Sequence, residues 1–377
     1  MRILSLSYEY PPIGGGGAPM CQGLSEAMVA AGHEVDVVTS GMKGLPALEE
    51  RRGVKIHRVR CLRRHRHYAT TPELLTTLVP LYRKALALHR ERAYDINHCH
   101  FAVPSGVPSY WLHRRTGLPY VITCHGSDIP GYNPDRFQWE HHLIRPVWSS
   151  IVRGAAALTC ASRFLTDLIH QRLDVPVDVI PYGFDPPVFT DAPRRDRILT
   201  ATRMFERKGV QFLVRALQHL DTHFEVWIAG GGPYLPELER LAAKLGVAVR
   251  FLGQVPHEEL MQLYATTKIF VFTSAAENFP MVLLESLSAG CAVVTTDTSG
   301  CREVAEDAAV MVPPEDPMAL ASALSALLED EARIAQLGEL ARERVARFRW
   351  SRVAGEYEAL YHRCLGDTTL NRTAETR

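Results

Sequence analysis

Residues 269–290 read IFVFTSAAENFPMVLLESLSAG, and the order of properties along this stretch decides the fold. Ile269 to Thr273 is an apolar run rich in β-branched and aromatic residues, the pattern of a strand buried on both faces of a parallel sheet. Ser274 to Glu277 reads as a turn. A helix is predicted to start near Asn278 or Phe279, with Pro280 in its first turn, where an absent N–H removes no intrahelical bond. The amides around Met281 and Val282 are then free to meet an anion at the carboxyl end of a strand. Glu277 before the helix and Glu285 one turn inside it frame that place with two hydroxyl-accepting carboxylates. Met281, Glu285 and Ser288 share one helical face. A sugar nucleotide would suit such an arrangement; an ordinary βα unit with two solvated glutamates would also produce it.

Working outward, the same βα rhythm continues in both directions. Ile198–Thr202 reads as a strand, Arg203–Gly209 as a loop, Val210–Leu220 as a helix and Phe224–Ala229 as a strand. The turn Gly230–Pro233, a helix to Leu245, strand Val249–Leu252 and helix Glu258–Thr266 lead into the opening stretch. Strand Ala292–Thr296, loop Asp297–Arg302, helix Pro317–Leu328 and helices over 331–347 and 351–365 follow it, with a disordered polar tail from Gly366. Pro181–Asp196 (PYGFDPPVFTDAPRRD) has no periodicity and reads as a linker.

An earlier series precedes the linker. Strand Arg2–Ser7 runs into PPIGGGGAP at 11–19, then helix Met20–Ala31 and strand Glu34–Thr39. The glycines fail the dinucleotide fingerprint, because Pro19 and Met20 stand where a third glycine or alanine belongs; this disfavours a NAD-dependent oxidoreductase. Gly15, Gly16 and Gly17 instead let the backbone approach a ligand closely. Asp95–Phe101 is a strand that places His98 and His100 on one face, with no third metal ligand at a recognisable spacing. Tyr120–Cys124 is a strand ending in His125-Gly126-Ser127-Asp128, where polar side chains meet the ligand-binding edge of an α/β sheet. Helices Trp139–Arg153 and Phe164–Leu173 and strands Leu158–Cys160 and Val177–Ile180 complete this half.

Bulk properties agree with two α/β domains. The 377 residues suit two cores of ~150–200 residues each. A 46% hydrophobic and 22% charged composition is that of a globular protein, and a formal net charge of +0 argues against a nucleic-acid partner. No apolar run reaches the ~18 residues a membrane span needs. Eight scattered cysteines without a CxxC pair, and no signal-peptide pattern ahead of Arg2, point to a cytoplasmic protein. Residues 51–67 carry eight Lys and Arg and no acid, and the helix Pro72–Arg92 is amphipathic with a basic end. A solvated face accounts for this; the sharper expectation is peripheral contact with anionic membrane through residues 51–92.

Arg203 and Lys208 occupy one loop after a strand, where both cations can stabilise the developing charge of a leaving diphosphate without a metal. No Asp-x-Asp clamp for a nucleotide-bound divalent ion stands at a strand end. With these residues in place, the chain resembles a retaining glycosyltransferase of family 4, with the two-domain GT-B fold. The likeness rests on PPIGGGG, on HGSD at 125–128, on IPYGFD at 180–185 and on RMFERKG at 203–209. It extends to AGGGP at 229–233, to the glutamates of ENFPMVLLE at 277 and 285, and to FRWSRVAGEYEALY at 348–361.

The resemblance implies two Rossmann-like doubly wound parallel-sheet domains facing across a cleft. An acceptor-binding domain would span 1–186 and a nucleotide-sugar-binding domain 197–349, with a helix at 350–365 crossing back and a tail at 366–377. Glu285 would bind the ribose hydroxyls and Glu277 the transferred sugar. The amides of Phe279, Met281 and Val282 would hold phosphate, Pro280 having none to offer where many members have Gly. Arg203 and Lys208 would clamp the diphosphate, and His125 would reach the sugar near the reacting carbon. Gly15–Gly17 would approach the diphosphate or acceptor, and Asp128 would lie among the substrate contacts. The implied partners are a UDP- or GDP-linked sugar donor, as co-substrate with no other cofactor, and a glycan, lipid-linked or small-molecule acceptor. The implied route is front-face, through an ion pair, with retention. A nucleotide-sugar epimerase, a pyridoxal-dependent phosphorylase or a non-catalytic sugar-binding protein are the competing readings.

Overall fold

The computed structural model describes residues 1–66, 68–132, 138–189 and 192–374. The chain divides into two compact units, one of Met1–Gly183 with Trp350–Arg377 and one of Phe184–Arg349.

In the first unit the order is β1 (Arg2–Ser7), α1 (Gly17–Ala30), β2 (Glu34–Ser40), β3 (Leu48–Arg51), β4 (Val54–Val59), α2 (Thr71–Arg92) and β5 (Ile96–His100). It continues with α3 (Gly106–Thr116), β6 (Tyr120–Cys124), α4 (Gln138–Arg153), β7 (Ala157–Cys160), α5 (Arg163–His170) and β8 (Asp178–Val179). The strands form one sheet in the order β3-β4-β2-β1-β5-β6-β7-β8, parallel except for β3. The turn and second strand of hairpin β3–β4 lie inside the basic stretch that the sequence suggested as a surface. Its turn is Arg52–Gly53, both at positive φ (48° and 78°), the left-handed pair that joins tightly twisted strands. Consequently Arg58 is buried and paired with Glu49 at 2.6 Å, Arg52 pairs with Glu26, and only part of the basic run faces outward.

The second unit runs β9 (Arg195–Ala201), α6 (Val210–Ala216), β10 (Glu225–Ala229), α7 (Leu235–Leu245), β11 (Arg250–Gly253), α8 (His257–Ala265) and β12 (Thr267–Phe272). Then come α9 (Met281–Ser288), β13 (Ala292–Thr296), α10 (Ser299–Ala305), β14 (Ala309–Val312), α11 (Pro317–Leu328) and α12 (Glu331–Val345). Its sheet is parallel throughout, in the order β11-β10-β9-β12-β13-β14. Counted within the unit this is 3-2-1-4-5-6, so the strand order reverses between β9 and β12, and ligands bind at the carboxyl ends of such a pair. In the first unit the reversal lies between β1 and β5. Fully buried Ile198, Ile269, Val271, Ala292 and Val294 form the middle of the second core.

The last helix, α13 (Trp350–Ala374), belongs to the first unit. Val353, Tyr357, Leu360, Tyr361 and Cys364 recur at helical spacing and join Ile3, Leu24, Met28 and Val35 in one core. The backbone is helical to Ala374, beyond the Gly366 boundary suggested by sequence; residues 375–377 lie outside the described residues. No helix among the described residues is long and apolar enough to cross a membrane.

Candidate functional site

In the second unit, the chain leaving β9 makes a 3-10 turn over Glu206–Lys208 and closes on Gly209 at φ 70°. A Cβ on Gly209 would lie 2.0 Å from the Thr273 carbonyl oxygen, so only glycine lets this loop pass the end of β12. The two loops are laced: Thr273 Oγ1 donates to the Lys208 carbonyl (3.2 Å) and the Ala275 amide to the Arg207 carbonyl (3.3 Å). That approach brings the Lys208 ammonium into a direct ion pair with Glu277 Oε1, with the side chains only 10% and 14% exposed. Arg203 stands differently. It is exposed, lies 5.7 Å over the Phe205 ring, and makes no ion pair among the described residues.

Helix α9 begins at Met281, later than the sequence suggested, with Pro280 as an extended N-cap (φ −77°, ψ 104°). Pro280 therefore stands before the first helical amide, and its missing N–H removes no donor from the first turn. Its carbonyl accepts the Leu283 amide at 3.0 Å, which leaves the Met281 and Val282 amides without intrahelical acceptors. Phe279 is buried edge-on against Phe348 at 5.6 Å and anchors the entry to the helix. One turn in, Glu285 is 13% exposed and its Oε1 lies 3.9 Å from His257 Nδ1. Burial pushes its carboxyl up to about 7, opposed in part by the Tyr264 hydroxyl. That hydroxyl is buried and closes no hydrogen bond of ordinary geometry, so both groups have unused capacity.

In the first unit, α1 starts at Gly17 rather than Met20, and a buried carboxylate that sequence reasoning passed over shapes its entry. Glu9 is 4% exposed; its Oε2 accepts the Gly15 amide at 3.1 Å, and burial raises its pKa. A Cβ on Gly17 would fall 2.4 Å from the Phe101 ring and 3.2 Å from Glu9 Oε1, whereas Gly15 and Gly16 face open space. Arg63, from the basic stretch, turns inward to the Tyr8 carbonyl (3.3 Å). At the end of β6, Asp128 is buried and its two oxygens accept the amides of His125 (2.9 Å), Gly126 (3.0 Å) and Ala102 (2.7 Å). Asp128, expected among the substrate contacts, holds the turn that carries His125. Both His125 ring nitrogens are engaged, Nδ1 with the Tyr182 hydroxyl (2.9 Å) and Nε2 with His100 Nδ1 (3.1 Å).

Two family patterns match the chain: the glycosyl transferase 4-like domain over residues 15–183 and the glycosyl transferases group 1 domain over residues 187–344. The chain belongs to the family 4 glycosyltransferases. An uncharacterized glycosyltransferase of Methanocaldococcus jannaschii is 29% identical to this glycosyltransferase over 96% of the chain and 98% of its own length. Among solved structures, sucrose-phosphate synthase of Thermosynechococcus elongatus superposes with a TM-score of 0.79 at 24% identity, covering 97% of this chain and 100% of the other. Anabaena HepE in complex with UDP-glucose gives 0.71 at 20% identity over 98% and 100%. The fold is GT-B.

Within this glycosyltransferase, Arg203, Lys208, Glu277, Met281, Val282 and Glu285 all come from the loops and helix at the β9–β12 reversal. Gly15–Gly17, His125 and Asp128 belong to the other unit, after β1 and β6. Sequence reasoning missed Glu9 and Tyr264. Glu9 stands six residues before Gly15, and nothing in that spacing shows that its carboxylate folds back on that glycine. Tyr264 sits in α8 with no motif around it, and its approach to Glu285 comes only from packing. Among the described residues no cluster of three or more His, Cys, Asp or Glu could hold a metal. His98 Nδ1 and Nε2 are bonded to Tyr361 and Thr123.

Proposed function

We propose that this glycosyltransferase moves a sugar from a UDP- or GDP-linked donor to a glycan, lipid-linked or small-molecule acceptor, with retention and without a metal. One observation carries the reading. An exposed Arg203 with no carboxylate partner among the described residues stands in the loop whose Lys208 grips Glu277, on the same side of the sheet as the open amides of α9. A diphosphate can collect the Arg203 charge, the Lys208 charge and two backbone donors, which supplies by fixed cations what a bound divalent ion supplies elsewhere. Glu285 offers two carboxylate oxygens to a ribose cis-diol. HepE, crystallised with UDP-glucose, supports a nucleotide sugar as the donor class. Glu277 is tied to an ammonium, which suits a sugar-positioning group better than a nucleophile and favours front-face departure of the diphosphate. His125 is the proposed contact for the transferred sugar, the role that the family likeness implies for it.

The experiment is a calorimetric titration with UDP, GDP and ADP, followed by transfer assays with the α-linked sugar of the tightest binder. An α-configured product and turnover that EDTA changes by less than about twofold are expected. A β-configured product overturns retention, and binding of none of the three nucleotides overturns the donor assignment. Arg203→Ala is expected to weaken nucleotide binding by about tenfold.

A lipid-linked acceptor has a further support in the first unit. Leu62, Tyr68, Leu75 and Val79 are exposed, and Arg60, Arg64 and Arg66 stand exposed near them in sequence. This surface meets anionic lipid headgroups at the cytoplasmic face of a membrane. The protein is expected to sediment with anionic vesicles at low salt and to be released at high salt. Equal recovery with neutral and anionic vesicles overturns the contact.

A further inference from the structure

Strand β5 carries two histidines on one face that the function above does not use. The His98 and His100 rings stack with centroids 4.5 Å apart and planes inclined by 18°, and His100 stacks on His125 at 5.4 Å and 20°. Three imidazoles thus run from β5 to the end of β6. His98 is clamped at both nitrogens, Nδ1 to the Tyr361 hydroxyl of α13 (2.6 Å) and Nε2 to Thr123 Oγ1 (2.7 Å). Thr123 is held in turn by Thr159 (2.7 Å) and by Tyr357 of α13 (3.0 Å). His100 Nδ1 meets His125 Nε2, and His125 Nδ1 meets Tyr182.

Burial keeps all three rings neutral: His100 is pushed down to about 3, and His98 and His125 well below the ordinary histidine range. A neutral imidazole donates from one nitrogen and accepts at the other. Across the His100–His125 bond one ring must donate and the other accept, so the tautomer of each fixes that of its neighbour. His100, 2% exposed and stacked between His98 and His125, is held in place, so its bond fixes the orientation of the His125 ring and couples the two tautomers.

We propose that His100 is a positioning residue for glycosyl transfer, holding His125 as one tautomer in one ring orientation, with His98 and α13 as the support behind it. The proposal rests on the role given to His125 above, and its test separates the two. In the wild-type protein, long-range 1H–15N correlation of the imidazoles is expected to show His125 as a single neutral tautomer with no titration near its ordinary pKa of about 6.5. His100→Leu is expected to lower kcat by at least about tenfold with the donor KM within about twofold, since the nucleotide grips lie in the other unit. His100→Asn, whose side-chain amide occupies the place of Nδ1, is expected to restore kcat to within about threefold of wild type.

Mixed tautomers or ordinary titration of His125 in the wild type overturn the proposal, whether or not any variant folds. Full kcat in His100→Leu overturns it too, as does a His100→Asn variant no better than His100→Leu. If the wild type turns over no nucleotide sugar, the functional reading fails, and the tautomer measurement still decides the positioning role.

Discussion

Removing the Lys208 ammonium would leave the Glu277 carboxylate in a site that is only 14% exposed, with no other ion-pair partner among the described residues. Breaking one side of so sheltered a pair costs about 3 kcal/mol, and loss of a diphosphate-stabilising cation costs about a hundredfold or more in turnover. Lys208→Met should therefore lose both stability and activity. Lys208→Met with Glu277→Gln should recover the melting temperature and not the turnover; recovery of turnover would remove Lys208 from the mechanism. Glu285 makes a second, opposite case. Its folded pKa of about 7 exceeds the ordinary carboxyl value of about 4.3, so the folded state keeps a proton that the unfolded chain gives up. Stability of the ligand-free protein should be unpenalised below about pH 4, fall as pH rises toward 7, and stay level above it. Glu285→Gln should remove that slope and leave the protein more stable at pH 8, by on the order of 3 kcal/mol, while weakening nucleotide binding. Denaturant melts at pH 4.5, 6 and 8 would show it, and an unchanged slope would refute it.

At the scale of elements, what matters is which loops come close. Gly209→Ala places a methyl group against the Thr273 carbonyl at a positive φ, and neither backbone can move without shifting Lys208. A loss of about 2 kcal/mol and weaker nucleotide binding are expected together. Gly15→Ala and Gly16→Ala, facing open space, should change the melting temperature little. If either still lowers turnover, the cause is a ligand that approaches this turn; unchanged turnover removes these glycines from the binding site. The βα alternation and the strand ends at Arg203 and Glu277 were legible in the sequence because apolar runs and glycine turns are local signals. Hairpin β3–β4 was not, because Arg58 is buried in an ion pair with Glu49 and His57 in a hydrogen bond with Asp36, and charge patterns do not show pairing. Helix α10 (Ser299–Ala305) begins inside Asp297–Arg302, read as a loop. The later start of α9 follows from Pro280 taking an extended conformation, which a proline in a first turn does not announce.

At the scale of the whole molecule, the parallel run β4-β2-β1-β5-β6-β7 of the first unit has the order of the second unit's six strands, with β3 and β8 added at its edges. In each unit the candidate ligand residues follow strands at or next to the reversal. This much was visible once two βα series were counted. The ties of individual side chains were less visible. Asp128 and both nitrogens of His125 satisfy partners in their own unit, and those partners lie far away in sequence or on the backbone. Motif position alone marked them as substrate contacts; hydrogen bonding shows how they are held. The cost of that holding is distributed over β5, β6 and α13, so the first unit's chemistry depends on residues at opposite ends of the chain.

That dependence has a consequence for synthesis. The second unit, Phe184–Arg349, is continuous and can complete its core as soon as it leaves the ribosome, but the first unit cannot. Ile3, Leu24, Met28 and Val35 wait for Val353, Tyr357, Leu360 and Tyr361, which are translated last. The half made first is finished second. A chain truncated after Arg349 should therefore show a protease-resistant second unit and a first unit still open to cleavage, with His98 lacking its Tyr361 partner. Resistance of the first unit in that truncated chain would show that its core closes without α13.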